Sequence, residues 1–199
     1  AAMAVKEGVA KITLLGNAEE IKKANPDVDL SGVEIVDPAT SENRAGYASL
    51  LYSLRKAKGM TEEEADKLSY DNTYFGVLML KAGDVDGLVS GACHSTANTL
   101  RPGLQIVKAA PGVPLVSSYF LMIAPECGNP YCEDGAYIYA DCGLNENPTS
   151  DKLAEIALIS AKTAKQIAGL DPRVAMLSFS TKGSAKHADI DKVKAALAP

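Results

Sequence analysis

The chain has 199 residues, and its 20 Lys plus Arg and 25 Asp plus Glu give a formal net charge of −5. Hydrophobic residues make up 47% and charged residues 23% of the sequence, which excludes an intrinsically disordered protein. The negative charge also argues against a dedicated nucleic-acid-binding protein, which usually carries a basic face.

No segment has the composition of a membrane-spanning helix or a secretion signal. The longest apolar stretch, Gly112–Pro125, has 14 residues, whereas a spanning helix needs about 20. The N-terminal residues lack the basic segment and long apolar core of a signal peptide. We therefore expect a cytoplasmic protein without a membrane partner.

The first predicted elements are a strand over Lys11–Leu15, a helix over Glu19–Ala24 and a second strand over Val33–Val36. A longer helix follows, with apolar residues spaced i, i+3, i+4 and i+7 and with Gly59 as its predicted end. The apolar face of this helix consists of Tyr47, Leu50, Leu51 and Leu54.

Thr61 and Glu64 have the spacing of a capping box, which predicts that the next helix begins there. Another helix is predicted around Thr73–Lys81, and later helices over Thr149–Gly169 and from about Asp189. Apolar runs predict the remaining strands, which are Val85–Ser90, Leu115–Ile123, Ala136–Ala140 and Val174–Phe179.

Strands that alternate with helices predict an α/β fold, with a largely parallel sheet covered by helices on both faces. The runs at 85–90 and 174–179 are apolar on both faces, which is typical of central strands. We expect a division into two α/β lobes, residues 1–112 and 113–199.

Four cysteines occur, at Cys93, Cys127, Cys132 and Cys142. In a cytosolic chain they are expected to be reduced thiols. Their spacing lacks the paired C-x2-C knuckles of zinc sites, so the sequence predicts no metal.

One loop, Ser90–Pro102, combines groups that hold anions. It follows a predicted strand, and we expect a helix to open near Pro102. Ser95, Thr96 and Thr99 carry hydroxyl donors, and Arg101 has a guanidinium that fits phosphate or carboxylate.

A second loop, Ser178–His187, follows the same plan, with Ser180, Thr181, Lys182 and Gly183 after a predicted strand. Neither loop matches the P-loop or the dinucleotide-binding fingerprint. Together they predict an α/β protein that binds an anionic small molecule at the carboxyl ends of its strands.

Each of these residues also has a structural interpretation. Ser and Thr before a helix are most often N-caps. Arg55, with Lys56 and Lys58, stands at the end of a predicted helix, where basic residues complement the helix dipole. Two hydroxyl-rich loops that each carry a cation are less easily explained by capping alone.

Long stretches of the sequence resemble a known family. They are VDGLVSGACHSTANTLRPGLQIVK, VAMLSFSTKGSAKH, YADCGLNENPTSDKLAEIALISAKTA, IVDPAT and LRKAKGMT. In these stretches, which occur in the family's order and cover nearly the whole chain, the sequence resembles the phosphate acetyl/butaryl transferase family. Members transfer an acetyl group reversibly between acetyl phosphate and coenzyme A.

The resemblance implies a three-layer α/β/α fold like that of isocitrate and isopropylmalate dehydrogenases, with two lobes and a cleft between them. It also implies a homodimer and a reaction with no metal or prosthetic group, in which coenzyme A is a substrate. Two alternatives remain open. One, within the same class, is a phosphate butyryltransferase, and the other, from a different class, is a non-catalytic regulatory module that binds acyl-CoA.

Carried over residue by residue, the resemblance makes Arg101 a catalytic group that binds the phosphoryl group. It makes Arg55 a coenzyme A contact and puts Cys127 near the site, though not as a nucleophile. The residues expected to bind acetyl phosphate are Ser95, Thr96, Thr99, Arg101, Ser180, Thr181, Lys182 and Gly183.

The sequence also departs from the family pattern. It lacks the family's N-terminal segment and C-terminal third, which carries a serine, an arginine and an aspartate of the reaction centre. Asn98 stands where many members have aspartate. We therefore expect the 199 residues alone to be impaired or inactive in the transfer.

Overall fold

The computed structural model, which describes residues 1–125 and 135–198, contains both helices and strands. The class is α/β, as the sequence predicts. Two units separate along the chain, Ala1–Lys108 and Ala109–Pro199. The structure thus divides the chain after residue 108, whereas the sequence-based lobes divide it after residue 112.

The first unit contains one parallel pair of strands, β1 (Thr13–Leu15) and β2 (Glu34–Val36). In their register Thr13 lies opposite Glu34 and Leu15 opposite Val36. A 3₁₀ turn over Lys56–Lys58 and a π-helix over Gly103–Val107 extend two of its helices. The α-helices of this unit are α1 (Ala2–Lys6), α2 (Ala18–Ala24), α3 (Arg44–Arg55), α4 (Glu62–Leu68), α5 (Asn72–Ala82) and α6 (Thr96–Pro102).

Local sequence signals set the helix ends of this unit. The Thr61 hydroxyl oxygen accepts from the Glu64 amide at 3.1 Å, and a Glu64 carboxylate oxygen accepts from the Thr61 amide at 3.0 Å. This reciprocal pair is the predicted capping box, and it starts α4. Gly59, the predicted stop, follows the 3₁₀ turn with φ of +89°, a conformation that glycine adopts without steric cost.

The core of the first unit forms where α3, α4, α5 and the π-helix meet. Leu51 and Leu78 are completely buried, and the ring of Tyr47 meets Phe75 edge to face at 4.9 Å between centroids. Such edge-to-face pairs stabilise a core by about 1 kcal/mol beyond their area. The buried apolar cluster consists of Tyr47, Leu51, Ala65, Tyr74, Phe75, Val77, Leu78 and Ile106.

The second unit contains an antiparallel pair of strands and two helices among its described residues. Its elements are β3 (Tyr119–Ile123), β4 (Ala136–Ala140), α7 (Ser150–Ala168) and α8 (Ala188–Ala196). The Thr149 hydroxyl caps α7 by accepting from the Lys152 amide at 3.5 Å. The buried side chains of this unit include Ile156, Ala164 and Ile190.

Two strand predictions are wrong. Val85–Ser90 and Val174–Phe179 have no helix or strand assignment, and Val89 is fully exposed. A strand requires a neighbouring strand that accepts and donates its backbone hydrogen bonds. Within the described ranges neither segment has one, although both have the apolar composition of central strands.

The observed sheets differ from the single, largely parallel sheet that the alternation predicts. Residues 1–125 and 135–198 form two sheets of two strands each, one parallel and one antiparallel. The segments 85–90 and 174–179, whose composition is typical of central strands, belong to neither sheet.

Candidate anion-binding site

Arg101 lies in the last turn of α6, and its side chain is exposed. The helix begins at Thr96, because the Ser95 hydroxyl oxygen accepts from the Asn98 amide at 3.3 Å and caps it. The prediction that a helix opens near Pro102 is therefore wrong. Proline favours the first turn of a helix, which suggested a start there, but Pro102 is buried at the end of α6.

The three hydroxyl residues of this loop differ in what they contact. Ser95 caps the helix, and Thr99 Oγ1 donates to the Ser95 carbonyl oxygen at 3.1 Å. Thr96 is exposed at the first helical position. Ser95 is therefore an N-cap, as the structural interpretation of such residues predicts. The binding of acetyl phosphate by these three residues stays a prediction.

Arg55 closes α3 and is half-buried. Its Nε atom is buried and has no hydrogen-bond partner within residues 1–125 and 135–198. A buried polar atom without a partner costs about 1–3 kcal/mol, and native structures contain few of them. An acceptor supplied by a ligand would remove this cost.

Tyr74, which the sequence analysis did not single out, lies in the first turn of α5. It is 8% exposed, and its hydroxyl donates to Gln105 Oε1 at 2.9 Å. Burial raises the pKa of Tyr74, the charges of Arg101 and Arg55 oppose that rise, and Asp71 adds to it. Gln105 belongs to the π-helix that follows α6, so this hydrogen bond joins α5 to the segment after Arg101.

Arg44 is an arginine of the same unit whose guanidinium is engaged in contacts within the fold. Its Nη1 donates to Asp66 Oδ1 at 2.5 Å and to Ser69 Oγ at 3.2 Å. Its guanidinium also lies 4.0 Å from the centroid of the Tyr70 ring. Arg55 and Arg101, by contrast, have no ion pair with any described carboxylate. Unpaired guanidinium groups are free to bind anions.

The second predicted loop forms a tight turn in the other unit. Lys182 and Gly183 have φ of +49° and +84°, and the Ser184 amide donates to the Thr181 carbonyl oxygen at 3.1 Å. Ser180 Oγ accepts from the Ala185 amide at 3.3 Å. Thr181, Lys182 and Gly183 are exposed. Whether this loop binds the same ligand as the first stays a prediction.

Asp141 is a second residue that the sequence analysis missed. Its carboxylate accepts six hydrogen bonds, three from side chains and three from backbone amides. The side chains are those of Ser117, Ser118 and Asn145, and the amides are those of Ser118, Gly143 and Leu144. The only sequence signal is the Asp-Cys-Gly-Leu-Asn run, in which Asp141 precedes turn residues. This network organises the chain between β4 and α7.

The cysteines contribute little to the described site. Cys127, expected near the reaction centre, and Cys132 lie outside the described residues. Cys93 and Cys142 are free thiols, and Cys93 Sγ lies 3.4 Å from His94 Nδ1. In the described part of the chain, no three side chains of His, Cys, Asp or Glu cluster as metal ligands would. No helix there is long and apolar enough to cross a membrane.

A family comparison identifies the group of proteins to which the chain is related. The family model of phosphate acetyl/butaryl transferase matches residues 1–198. The chain belongs to this family, and the resemblance in the sequence is thereby confirmed.

Individual relatives agree with this assignment. The phosphate acetyltransferase of Thermoanaerobacterium thermosaccharolyticum is 53% identical over 192 residues, which are 96% of this chain and 58% of that protein. The Escherichia coli phosphate acetyltransferase is 48% identical, over 98% of this chain and 26% of its own length.

Solved structures give the same result. A phosphotransacetylase from Streptococcus pyogenes superposes with a TM-score of 0.84 at 41% identity, over 98% of this chain and 58% of that one. The EutD phosphotransacetylase from Staphylococcus aureus gives a TM-score of 0.77 at 44% identity, over 94% and 54%. The chain thus spans little more than half the length of the Thermoanaerobacterium relative and of the two solved structures, and about a quarter of the Escherichia coli protein.

Proposed function

We propose that this chain carries substrate-binding residues of a phosphate acetyltransferase, which moves an acetyl group reversibly between acetyl phosphate and coenzyme A. The observation that carries the proposal is the pair Arg55 and Arg101. Both guanidinium groups lack a carboxylate partner among the described residues, and the buried Nε atom of Arg55 has no hydrogen-bond partner there. The named relatives support the choice of reaction.

In this proposal Arg55 contacts coenzyme A and Arg101 contacts the phosphoryl group. The coenzyme A thiol loses its proton and attacks the acetyl carbonyl as a thiolate, so that an S–C bond forms and the C–O bond to phosphate breaks. Phosphate departs with an added negative charge, which the released proton then neutralises. A guanidinium beside the leaving group stabilises that charge without having to reorganise. Arg101 is exposed at the end of a capped helix, so its guanidinium is accessible to such a ligand.

The hydroxyl residues complete the proposed phosphate site. Thr96 is exposed beside the Ser95 cap, and its hydroxyl is free to donate to a phosphate oxygen. In the second loop, the turn over Thr181–Ser184 exposes Lys182 at its tip. A lysine on a tight turn supplies a point charge for phosphate. That both loops bind one acetyl phosphate stays the prediction made from the sequence.

The broader features of the family complete the proposal. They are the three-layer fold of the isocitrate dehydrogenase type, with a cleft between two lobes, a homodimer and a cytoplasmic location. Coenzyme A is a substrate, and the proposed transfer uses no metal or prosthetic group. The observed α/β order of elements is compatible with this fold.

Calorimetry of the chain with coenzyme A and, separately, with acetyl phosphate tests the proposal. We expect saturable binding of coenzyme A that weakens at least tenfold, or about 1.4 kcal/mol, in Arg55→Ala, and saturable binding of acetyl phosphate that weakens by the same factor in Arg101→Ala. Lys22→Ala is the matched control, because it removes one positive charge from the exposed side of α2. Equal weakening in all three variants, or no binding by the unmodified chain, would contradict the proposal.

A second measurement separates an enzyme from a regulatory module that only binds acyl-CoA. Acetyl phosphate and coenzyme A are incubated with the chain, and acetyl-CoA formation is followed over time. Formation above the uncatalysed rate, lost in Arg101→Ala, supports the transferase. Binding of acetyl-CoA with no such formation supports the regulatory module.

A further inference from the structure

Gly76 is a buried glycine in the middle of α5, and the proposed reaction assigns it no role. Glycine inside a helix is less favourable than alanine, and the space around Gly76 explains why it stands there. A Cβ atom on Gly76 would lie 2.9 Å from Leu88 Cδ1 and 3.0 Å from Leu15 Cδ1. Because carbon atoms pack at about 3.5–4.0 Å, only glycine leaves room for both methyl groups at this point of the helix.

Leu88 belongs to the segment that leads into the first predicted loop, Ser90–Pro102. It is 38% exposed, whereas its neighbour Val89 is fully exposed. Residues 89–98 are all exposed. Leu88 is therefore the residue nearest to the start of the loop whose side chain is seated against the fold, and its seat is the space at Gly76 beside β1.

The loop approaches α6 directly after Ser90. A Cβ atom on Gly91 would lie 3.6 Å from Thr99 Cγ2, an ordinary packing distance, so the backbone of the loop passes close to Thr99. The same helix carries Thr96 and Arg101. The place where Leu88 is held thus decides how the loop meets the helix that carries the proposed phosphate ligands.

We infer that Gly76 is a positioning residue for the binding of acetyl phosphate. By leaving space for Leu88 beside Leu15, it holds the start of the Ser90–Pro102 loop against α5. The hydroxyl groups of the loop are thereby kept in place for the phosphate. The inference rests on the proposed function, because it assumes that this loop binds acetyl phosphate.

Calorimetry of Gly76→Ala with acetyl phosphate tests the inference. The added methyl group displaces Leu88, and the Kd rises in inverse proportion to the fraction of molecules whose loop is in place, so we expect binding at least about threefold weaker. Binding of coenzyme A, which the proposal assigns to Arg55, should be unchanged. The melting temperature should not fall, because alanine is the better helix former and the partly exposed Leu88 has room to move.

Two variants control for the size of the change. Gly46→Ala adds the same methyl group to α3, at a position where a Cβ atom has nothing within 4 Å. Val89→Ala shortens the fully exposed neighbour of Leu88. Both variants should bind acetyl phosphate like the unmodified chain.

Leu88→Ala tests the same contact from its other side. It should weaken acetyl phosphate binding about as much as Gly76→Ala does. The double variant should be no weaker than either single one, because both changes remove one contact, and additive losses would overturn the inference. If Gly76→Ala does not fold, Leu88→Ala, at a partly exposed position, gives the same test.

The outcomes separate this inference from the proposal beneath it. If the unmodified chain does not bind acetyl phosphate, the proposed function fails and the inference fails with it. If acetyl phosphate binds equally well to the unmodified chain and to Gly76→Ala, the inference fails alone. A lower melting temperature with an unchanged Kd would show a merely structural role, and equal weakening of acetyl phosphate and coenzyme A binding would show a general disturbance of the unit; each result would overturn the inference.

Discussion

Ser118 donates its hydroxyl hydrogen to Asp141 Oδ1 at 2.6 Å, which joins the residue before β3 to the residue after β4. Asn145 Nδ2 donates to Oδ2 at 2.6 Å, and the amides of Gly143 and Leu144 donate to Oδ1 at 2.8 Å each. Burial raises the pKa of Asp141, but these hydrogen bonds outweigh burial and hold the pKa well below its usual range. The ionised carboxylate therefore stabilises the fold.

Asp141→Asn should lower the free energy of unfolding by roughly 1–2 kcal/mol at pH 7. Bonds to a charged acceptor are stronger than those to an amide, and partial exposure of the site limits the effect. Because the folded pKa lies below the unfolded value of about 3.9, this stabilisation is present above that pH. It is lost as the pH falls further toward the folded pKa.

Urea unfolding between pH 7 and pH 2 measures this effect. The difference between the unmodified chain and Asp141→Asn should be constant above about pH 5 and shrink below about pH 4. Asp171→Asn is the control, since Asp171 is exposed and has no hydrogen bond to a described residue. A difference that stayed constant down to pH 2 would show that the carboxylate charge is not responsible.

Thr61→Ala should destabilise the first unit by about 1 kcal/mol, because it removes one half of the capping box that starts α4. Thr61→Ser retains the hydroxyl oxygen and should stay within about 0.5 kcal/mol of the unmodified chain. Chemical denaturation followed by circular dichroism measures both. Equal losses in the two variants would mean that the methyl group, and not the cap, stabilises the helix.

The parts of the fold that the sequence predicts correctly depend on residues that are close together in the sequence. The capping box needs only Thr61 and Glu64, three positions apart, and α7 lies between a capping Thr149 and Gly169, which has φ of +66°. The composition of its loop made Arg101 a candidate, and the family resemblance made Arg55 one. Neither the composition nor the resemblance showed what surrounds the two side chains.

Contacts between distant segments account for what the sequence could not show. Tyr74 and Gln105 are 31 positions apart, and nothing in either local pattern marks their hydrogen bond. The strand predictions for residues 85–90 and 174–179 are wrong for a related reason. Apolar composition indicates that a run is suited to a strand, but a strand exists only where another segment pairs with it.

The proposal that both loops bind one acetyl phosphate predicts coupling between Arg101 and Lys182. We expect Arg101→Ala and Lys182→Ala each to weaken acetyl phosphate binding in calorimetry. Residues that contact one ligand couple by about 0.5–3 kcal/mol in a double-mutant cycle, whereas independent sites add within about 0.5 kcal/mol. Additive losses would remove the second loop from the phosphate site, and Lys22→Ala again controls for net charge.

The exposure of Leu177 gives the last prediction. This residue lies in the apolar segment that the sequence predicts as a strand, yet it is 81% exposed, whereas Ile156 of α7 in the same unit is 3% exposed. Leu177→Lys should therefore change the free energy of unfolding by no more than about 0.5 kcal/mol. Ile156→Ala removes buried methyl groups and should cost about 2–5 kcal/mol. Urea denaturation of both variants measures the contrast, and a loss in Leu177→Lys as large as that in Ile156→Ala would mean that the segment is a buried strand in solution.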